Sequence, residues 1–377
     1  MEALILSCST GGGHNAAAAA VKGELEKRGH HVTMMDPYEL VSRKLAEEIG
    51  ALYVRMVQRM PRMFGVVYSL GSVVRRVPGK SPVYYANIRV AKRLRVYLKQ
   101  HPTDVILMPH LYPAELITYL KGQGDKLPLS VFIATDYTCI PFTEETDCDY
   151  YVIPGEKQIA EFRKRRIPAE KLLPFGIPVA MACDTDLTKQ QARQALGLSE
   201  DLVYILLTGG SIGAGNIEET IRSLLRYLKK SGKQGKIIAV CGSNDKLYDR
   251  LQAAYGEKLV LLHRTRQMAL YMLACDLFLS KPGGLSSTEA AVLHVPYIQI
   301  APIPGCETKN MQFFAKNGMS IAVKHPSLQL KRAVNKLLRE EDARRQKSSQ
   351  FLIPQDARAA LCDWLEEKLQ QQTDKQE

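Results

Sequence analysis

His14 stands at the mouth of a glycine turn, Gly11-Gly12-Gly13-His14, which follows the apolar run Ala3-Leu4-Ile5-Leu6. An imidazole near neutrality suits a general base acting on a hydroxyl nucleophile. The same ring has a bland alternative, bracing or capping the turn. Asp136 follows a second apolar run, Leu129 to Ala134, in Thr135-Asp136-Tyr137. A carboxylate there either orients a histidine or an acceptor hydroxyl, or merely caps a helix or shapes a turn.

Three glycine turns complement these groups. Strand, glycine turn and helix start together bring backbone N–H groups up to an anion. The first copy includes Gly13. The second is Gly209-Gly210-Ser211 after Tyr204 to Leu207, followed by Gly213 and Gly215. It lacks the order of an ATP-binding loop, and no acidic residue sits where a nicotinamide fingerprint requires one. The third is Lys281-Pro282-Gly283-Gly284 with Ser286, Ser287, Thr288 and Glu289. That block supplies amides, three hydroxyls and a helix start for a diphosphate, with Glu289 able to bind vicinal ribose hydroxyls. Read plainly, it is a Ser/Thr cap with an acid in the first turn. Glu307 and Asn310, in a Pro- and Gly-containing loop, are able to grip sugar hydroxyls. No Asp-x-Asp pair has a strand-end setting, since Asp147-Cys148-Asp149 precedes a strand. A metal-independent reaction is therefore expected.

Elements must hold these groups in place. At 377 residues the chain exceeds one ordinary core, which predicts two α/β domains. Expected strands of the first are Ala3 to Leu6, His31 to Met34, Val105 to Met108, Leu129 to Ala134 and Tyr150 to Ile153. Helices are expected at Asn15 to Arg28, Tyr84 to Lys99 and Glu156 to Arg165. Phe175 to Asp186 reads as the linker, dividing the chain into 1–183 and 184–377. The second series has strands at Tyr204 to Leu207, Lys236 to Val240, Leu259 to Leu262, Leu277 to Leu279 and Tyr297 to Ile300. Its helices are Ile217 to Lys229, Asp245 to Ala254, Arg266 to Ala274, Ser287 to Val292 and Asn310 to Lys316. A charged helix, Asp356 to Gln372, ends the pattern, with room for it to pack back on the first domain. Parallel α/β sheets bind ligands outside their C-terminal strand ends. Two such domains facing across a cleft would set His14 and Asp136 on one wall, and the loops at Gly209, Gly242 and Gly283 on the other.

Charge adds a second kind of partner. The formal net charge is +12, and residues 50–100 contain eleven basic side chains and no acid. The rest is close to neutral, which a uniform solubility surface would not produce. Leu52 to Arg76 mixes Tyr53, Met56, Met60, Phe64 and Tyr68 with arginines, a composition suited to an anionic lipid surface through residues 52–80. A domain core with its arginines outside is the alternative. No nucleic-acid module is recognised. Eight scattered cysteines without C-x-x-C spacing favour a reducing compartment. No secretory leader is read at the start of the chain, and no window of about 18 apolar residues spans a membrane.

The ordered set Gly11 to His14, Thr135-Asp136, Cys241-Gly242-Ser243-Asn244, Lys281 to Glu289 and Pro304-Gly305-Cys306-Glu307-x-x-Asn310 resembles one family over nearly the whole chain. That family is the monogalactosyldiacylglycerol synthases and processive diacylglycerol glucosyltransferases, relatives of the peptidoglycan UDP-N-acetylglucosamine transferase. The resemblance implies a glycosyltransferase-B fold of two Rossmann-like domains. It implies an inverting transfer from a UDP-hexose to a lipid hydroxyl, foremost diacylglycerol, at the cytoplasmic membrane face, with no cofactor beyond the donor. By resemblance, His14 is the acceptor base, and Asp136 supports it or the acceptor. Ser286 to Thr288 with Gly209, Gly210 and Ser211 hold the diphosphate, beside Gly242 and Asn244. Arg264, Thr265 and Met268 frame uracil, Glu289 holds ribose, and Glu307 and Asn310 read the hexose. Departures fall on the acceptor side: Ser9-Thr10 replaces an Asp-Thr, and Tyr137 to Phe142 lacks a histidine and a tryptophan. A UDP-N-acetylglucosamine 2-epimerase and a non-catalytic UDP-sugar or lipid binder are the rival readings. A homo-oligomer stays open.

Overall fold

The computed structural model describes residues 1–8, 12–59, 80–180 and 187–374. Two compact units emerge: Met1–Met56, Arg62–Ala180 and Pro354–Glu377 in one, Val57–Pro61 and Met181–Ile353 in the other.

The first unit carries a six-stranded parallel sheet: β1 Glu2–Leu6, β2 His31–Met35, β3 Val105–Met108, β4 Leu129–Ile133, β5 Tyr150–Val152 and β6 Leu172–Leu173. Their spatial order is β2-β1-β3-β4-β5-β6. The middle strands are continuous apolar runs because helices cover both faces. Side chains alternate between two cores: Leu4, Leu6, Ile106 and Met108 enter one, while Ala3, Ile5, Val105 and Leu107 enter the other. The first core is closed by α2 Arg43–Arg59, α4 Ile88–Gln100 and α5 Leu111–Gly122, with the one-turn α3 Pro82–Ala86 before α4. The second is closed by α1 Gly12–Lys27 and by the last helix of the chain. The short α6 Ile159–Lys164 follows β5.

The second unit repeats the plan with β7 Val203–Thr208, β8 Gly235–Val240, β9 Leu259–Leu262, β10 Leu277–Ser280, β11 Tyr297–Ile300 and β12 Ile321–Val323. The order is β12-β11-β10-β7-β8-β9, all parallel. Helices α7 Lys189–Ala195, α8 Ile217–Ser231, α9 Asp245–Tyr255, α10 Met268–Ala274, α11 Gly284–Val292, α12 Cys306–Lys316, α13 Pro326–Leu337 and α14 Glu340–Gln350 flank it.

The chain then returns to the first unit. Helix α15, Ala357–Thr373, lays Leu361, Cys362 and Leu365 into the core around Ile5, Ala18 and Val21. Arg28 at the end of α1 ion-pairs Asp363 at 2.5 Å and Glu366 at 3.2 Å, and Trp364 meets Tyr150 edge to face. The second unit accordingly stops at Ile353.

Candidate active site

In each sheet the strand order reverses at one point, and there the loops diverge and leave a crevice. In the first unit this point lies between β1 and β3. The loop after β1 runs into α1, whose first turn is Gly12-Gly13-His14, so the described part of the glycine turn is already helical. Ser9, Thr10 and Gly11 lie outside the described residues.

His14 is partly buried, with Nδ1 2.7 Å from the carbonyl oxygen of Pro109, just past β3. A carbonyl only accepts, so Nδ1 carries the proton. Thr135 Oγ1 lies 3.0 Å from the same nitrogen. The tautomer leaves Nε2 with its lone pair, as a base requires. Burial lowers the pKa of this ring against the opposing pull of the Pro109 bond, so it is neutral at pH 7.

Asp136 lines the same recess as His14, Pro109, Thr135 and Thr138. Pro109 O and Thr135 Oγ1 both contact the imidazole at Nδ1. The place of Asp136 beside the base fits the expectation of a carboxylate that supports it or the acceptor.

His110 is a site residue that the sequence reading missed. Its ring meets His14 edge to face at 4.5 Å. Its Nδ1 accepts from Tyr112 N at 3.1 Å and caps α5. Burial and then the neighbouring His14 push its pKa well below the ordinary value. The available signal was Pro109-His110 directly after an apolar run, but its weight depends on β3 lying beside β1.

In the second unit the reversal lies between β7 and β10. The loop after β7 touches the loop after β8 without side chains between them. A Cβ on Gly213 (φ +57°) would overlap the Cys241 carbonyl oxygen, and one on Gly242 would sit 2.5 Å from that of Ser211. Asn244 fixes this contact: Nδ2 donates to Gly213 O at 3.1 Å and Oδ1 accepts from Leu247 N at 3.0 Å. Its amide thus bridges the two loops and caps α9. Gly209 is buried, while Ser211 is exposed at the rim. After β9, Arg264 is exposed, Thr265 Oγ1 accepts from Gln267 N at 3.0 Å, and Met268 opens α10.

After β10, Gly283 is the N-cap of α11, so the amides of Gly284, Leu285 and Ser286 have no partner within the helix. Ser286 is partly exposed. Ser287 and Thr288 are fully buried. The Ser287 hydroxyl lies 3.2 Å from Tyr297 Oη and 3.2 Å from Gln299 Nε2, and Thr288 donates to Gly284 O at 2.8 Å. Their position inside the first turns turns these two side chains toward the core, so the expected diphosphate contact is withdrawn from their hydroxyls. Glu289 is partly exposed, and burial raises its carboxyl to about 7.

Glu307 and Asn310 also differ from expectation. Glu307 pairs with Lys281 and accepts from Ile303 N at 2.8 Å, while fully buried Asn310 donates to Pro282 O at 3.0 Å. Both are engaged in holding the loop after β10. Among the described residues, no group of three His, Cys, Asp or Glu side chains could hold a metal ion. Asp147 and Asp149 instead pair with Lys171 and Lys121.

The basic region is described only in part, because residues 60–79 lie outside the described residues. On α4, Arg89, Lys92, Arg93 and Val96 are exposed, as are Leu52 and Arg55 on α2. No described helix is long and apolar enough to cross a membrane.

Residues 14–179 match the family model described as monogalactosyldiacylglycerol (MGDG) synthase, and 204–361 match the glycosyltransferase family 28 C-terminal domain. The probable monogalactosyldiacylglycerol synthase 2 of Oryza sativa subsp. japonica is 28% identical over 86% of this chain and 71% of its own. A processive diacylglycerol beta-glucosyltransferase of Bacillus pumilus is 23% identical over 90% and 87%. Among solved structures, Acinetobacter baumannii MurG superposes with a TM-score of 0.62 at 15% identity, covering 97% of this chain and 99% of that one. The UDP-GlcNAc 2-epimerase of Neisseria meningitidis gives 0.61 at 15%, covering 97% and 100%. These superpositions describe a fold shared by transferases and epimerases.

Proposed function

Since the chain belongs to the monogalactosyldiacylglycerol synthase and processive diacylglycerol glucosyltransferase family, and is an inverting UDP-sugar-dependent glycosyltransferase of the GT-B fold, we propose that it moves a hexose onto a lipid hydroxyl, with diacylglycerol as acceptor. The single observation that carries the acceptor chemistry is the imidazole of His14, kept neutral by burial and held in the tautomer that exposes Nε2. In this reading Nε2 takes the proton from the acceptor hydroxyl, whose oxygen attacks the anomeric carbon from the face opposite UDP. The bond from that carbon to the diphosphate breaks, and UDP leaves carrying the electron pair. Amides at the start of α11 and in the loop after β7 stabilise the charge that develops there. Glu289 holds the ribose.

The exposed cations of α4, with Tyr85 and Val96 uncovered nearby in sequence and Leu52 uncovered on α2, support docking on an anionic leaflet at the cytoplasmic membrane face. Incubation with radiolabelled UDP-glucose, UDP-galactose or UDP-N-acetylglucosamine and mixed membrane lipids tests the reading. Label should enter the lipid fraction from one hexose donor, and the His14→Ala variant should slow its entry by on the order of 10²-fold or more. Epimerisation without lipid, or saturable binding without turnover, would replace this reading by one of its rivals.

A further inference from the structure

Lys281 follows β10 where that strand lies beside β7, at the reversal point of the second sheet. Its stem crosses the loop after β7: a Cβ added to Gly210 would come within 2.7 Å of Lys281 Cε. Its ammonium pairs with Glu307, and the two side chains are only 17% and 8% exposed. The other Glu307 oxygen is held by Ile303 N. Glu307 Oε1 also stands 3.9 Å from where a Gly283 Cβ would be, behind the capping residue of α11. A fixed carboxylate so near that loop repels an anion unless a cation offsets it.

We propose that Lys281 is the diphosphate-contacting cation of the donor site and that Glu307 is its resting counter-ion. The inference rests on the reading of this loop as the UDP-sugar site. Nucleotide binding draws the ammonium from Glu307 across Gly210 to the phosphate oxygens, where the missing side chain leaves room. The ammonium thereby exchanges one anionic partner for another, and the cost of withdrawing it from water has already been met in the empty protein. Asn310 keeps the loop in place through Pro282 O during the exchange. In this scheme Glu307 tunes the cation and does not read the sugar.

The test is calorimetric titration of the full chain with UDP and with uridine. Lys281→Met should weaken UDP binding by about tenfold or more and leave uridine unchanged, the effect of one charge-assisted contact. Glu307→Gln should tighten UDP binding, because it releases the ammonium. If Lys281→Met binds UDP as the wild type does, or Glu307→Gln weakens it, the pair is a structural brace and the inference falls. Should Lys281→Met fail to fold, the sign of the Glu307→Gln effect decides alone. A wild-type chain that binds no UDP overturns the donor reading itself, a different outcome from either variant result.

Discussion

The chemistry asked of His14 depends on where its proton sits. Pro109 O accepts from Nδ1, so protonation can occur only at Nε2, the atom that must receive the acceptor's proton. Burial opposes that protonation and lowers the pKa from 6.5. The sign follows directly: the neutral ring is the active form, so kcat/KM should be level above pH 6.5 and fall only in more acid solution. A rate profile measured from pH 5 to 9 checks this, and a limb centred above 6.5 would contradict the burial argument. His14→Ala should cost on the order of 10²–10⁴-fold in kcat, the usual scale for a positioned base. His14 was legible in the sequence because glycine turn and histidine are adjacent. Its orienting partners were not, since Pro109 and Thr135 approach it from two other strand ends.

At the scale of elements, the donor loops depend on backbone touching backbone. Gly213 has φ +57°, and any Cβ there would overlap the Cys241 carbonyl oxygen. Gly213→Ala should therefore lose more than about 2 kcal/mol, combining the left-handed penalty with separation of the β7 and β8 loops. Gly232, at φ +67° after α8, has nothing within 4 Å of an added Cβ. Gly232→Ala should cost only about 1 kcal/mol. Thermal melts of both variants supply the comparison, and equal losses would show that conformation alone, without the loop contact, accounts for Gly213. Ten of the twelve described strands were readable as apolar runs between turns, whereas β6 Leu172–Leu173 and β12 Ile321–Val323, of two and three residues, were too short to stand out. Helix α5 was not readable, because Leu111, Ala114, Leu116, Ile117 and Leu120 are buried together with Pro113, Glu115 and Thr118. A helix buried nearly all round has no polar stripe from which to read its period. Helix starts shifted as well: α11 begins at Gly284, whereas the sequence placed the helix from Ser287, and Ser287 and Thr288, read as hydroxyls for a diphosphate, are buried.

Over the whole molecule, the chain order and the folding units do not coincide. The sequence read the last helix as a charged segment, Asp356 to Gln372, with room to pack back on the first domain, and its contacts show what it meets there. The partner is identified by charge as well as packing. Arg28 and His30 at the end of α1 meet Asp363 and Glu366 of α15, while Leu361 and Leu365 are fully buried beside Ile5 and Val21. The outer ion pairs are solvent-exposed on their acidic side and contribute little. The buried leucines dominate, each worth about 2–5 kcal/mol against alanine. Leu361→Ala or Leu365→Ala should therefore loosen β1 and α1, more than 300 residues away in sequence, while leaving β7 and β10 unaffected. Hydrogen exchange resolves the two: amides of Ala3 to Leu6 should lose protection in either variant, and those of Leu277 to Ser280 should keep it. Equal loss in both sheets would mean that α15 stabilises the chain as one cooperative body. Because His14 lies on α1, the same variants should lower transferase activity while UDP titration remains unchanged, placing the base and the nucleotide site under separate structural control.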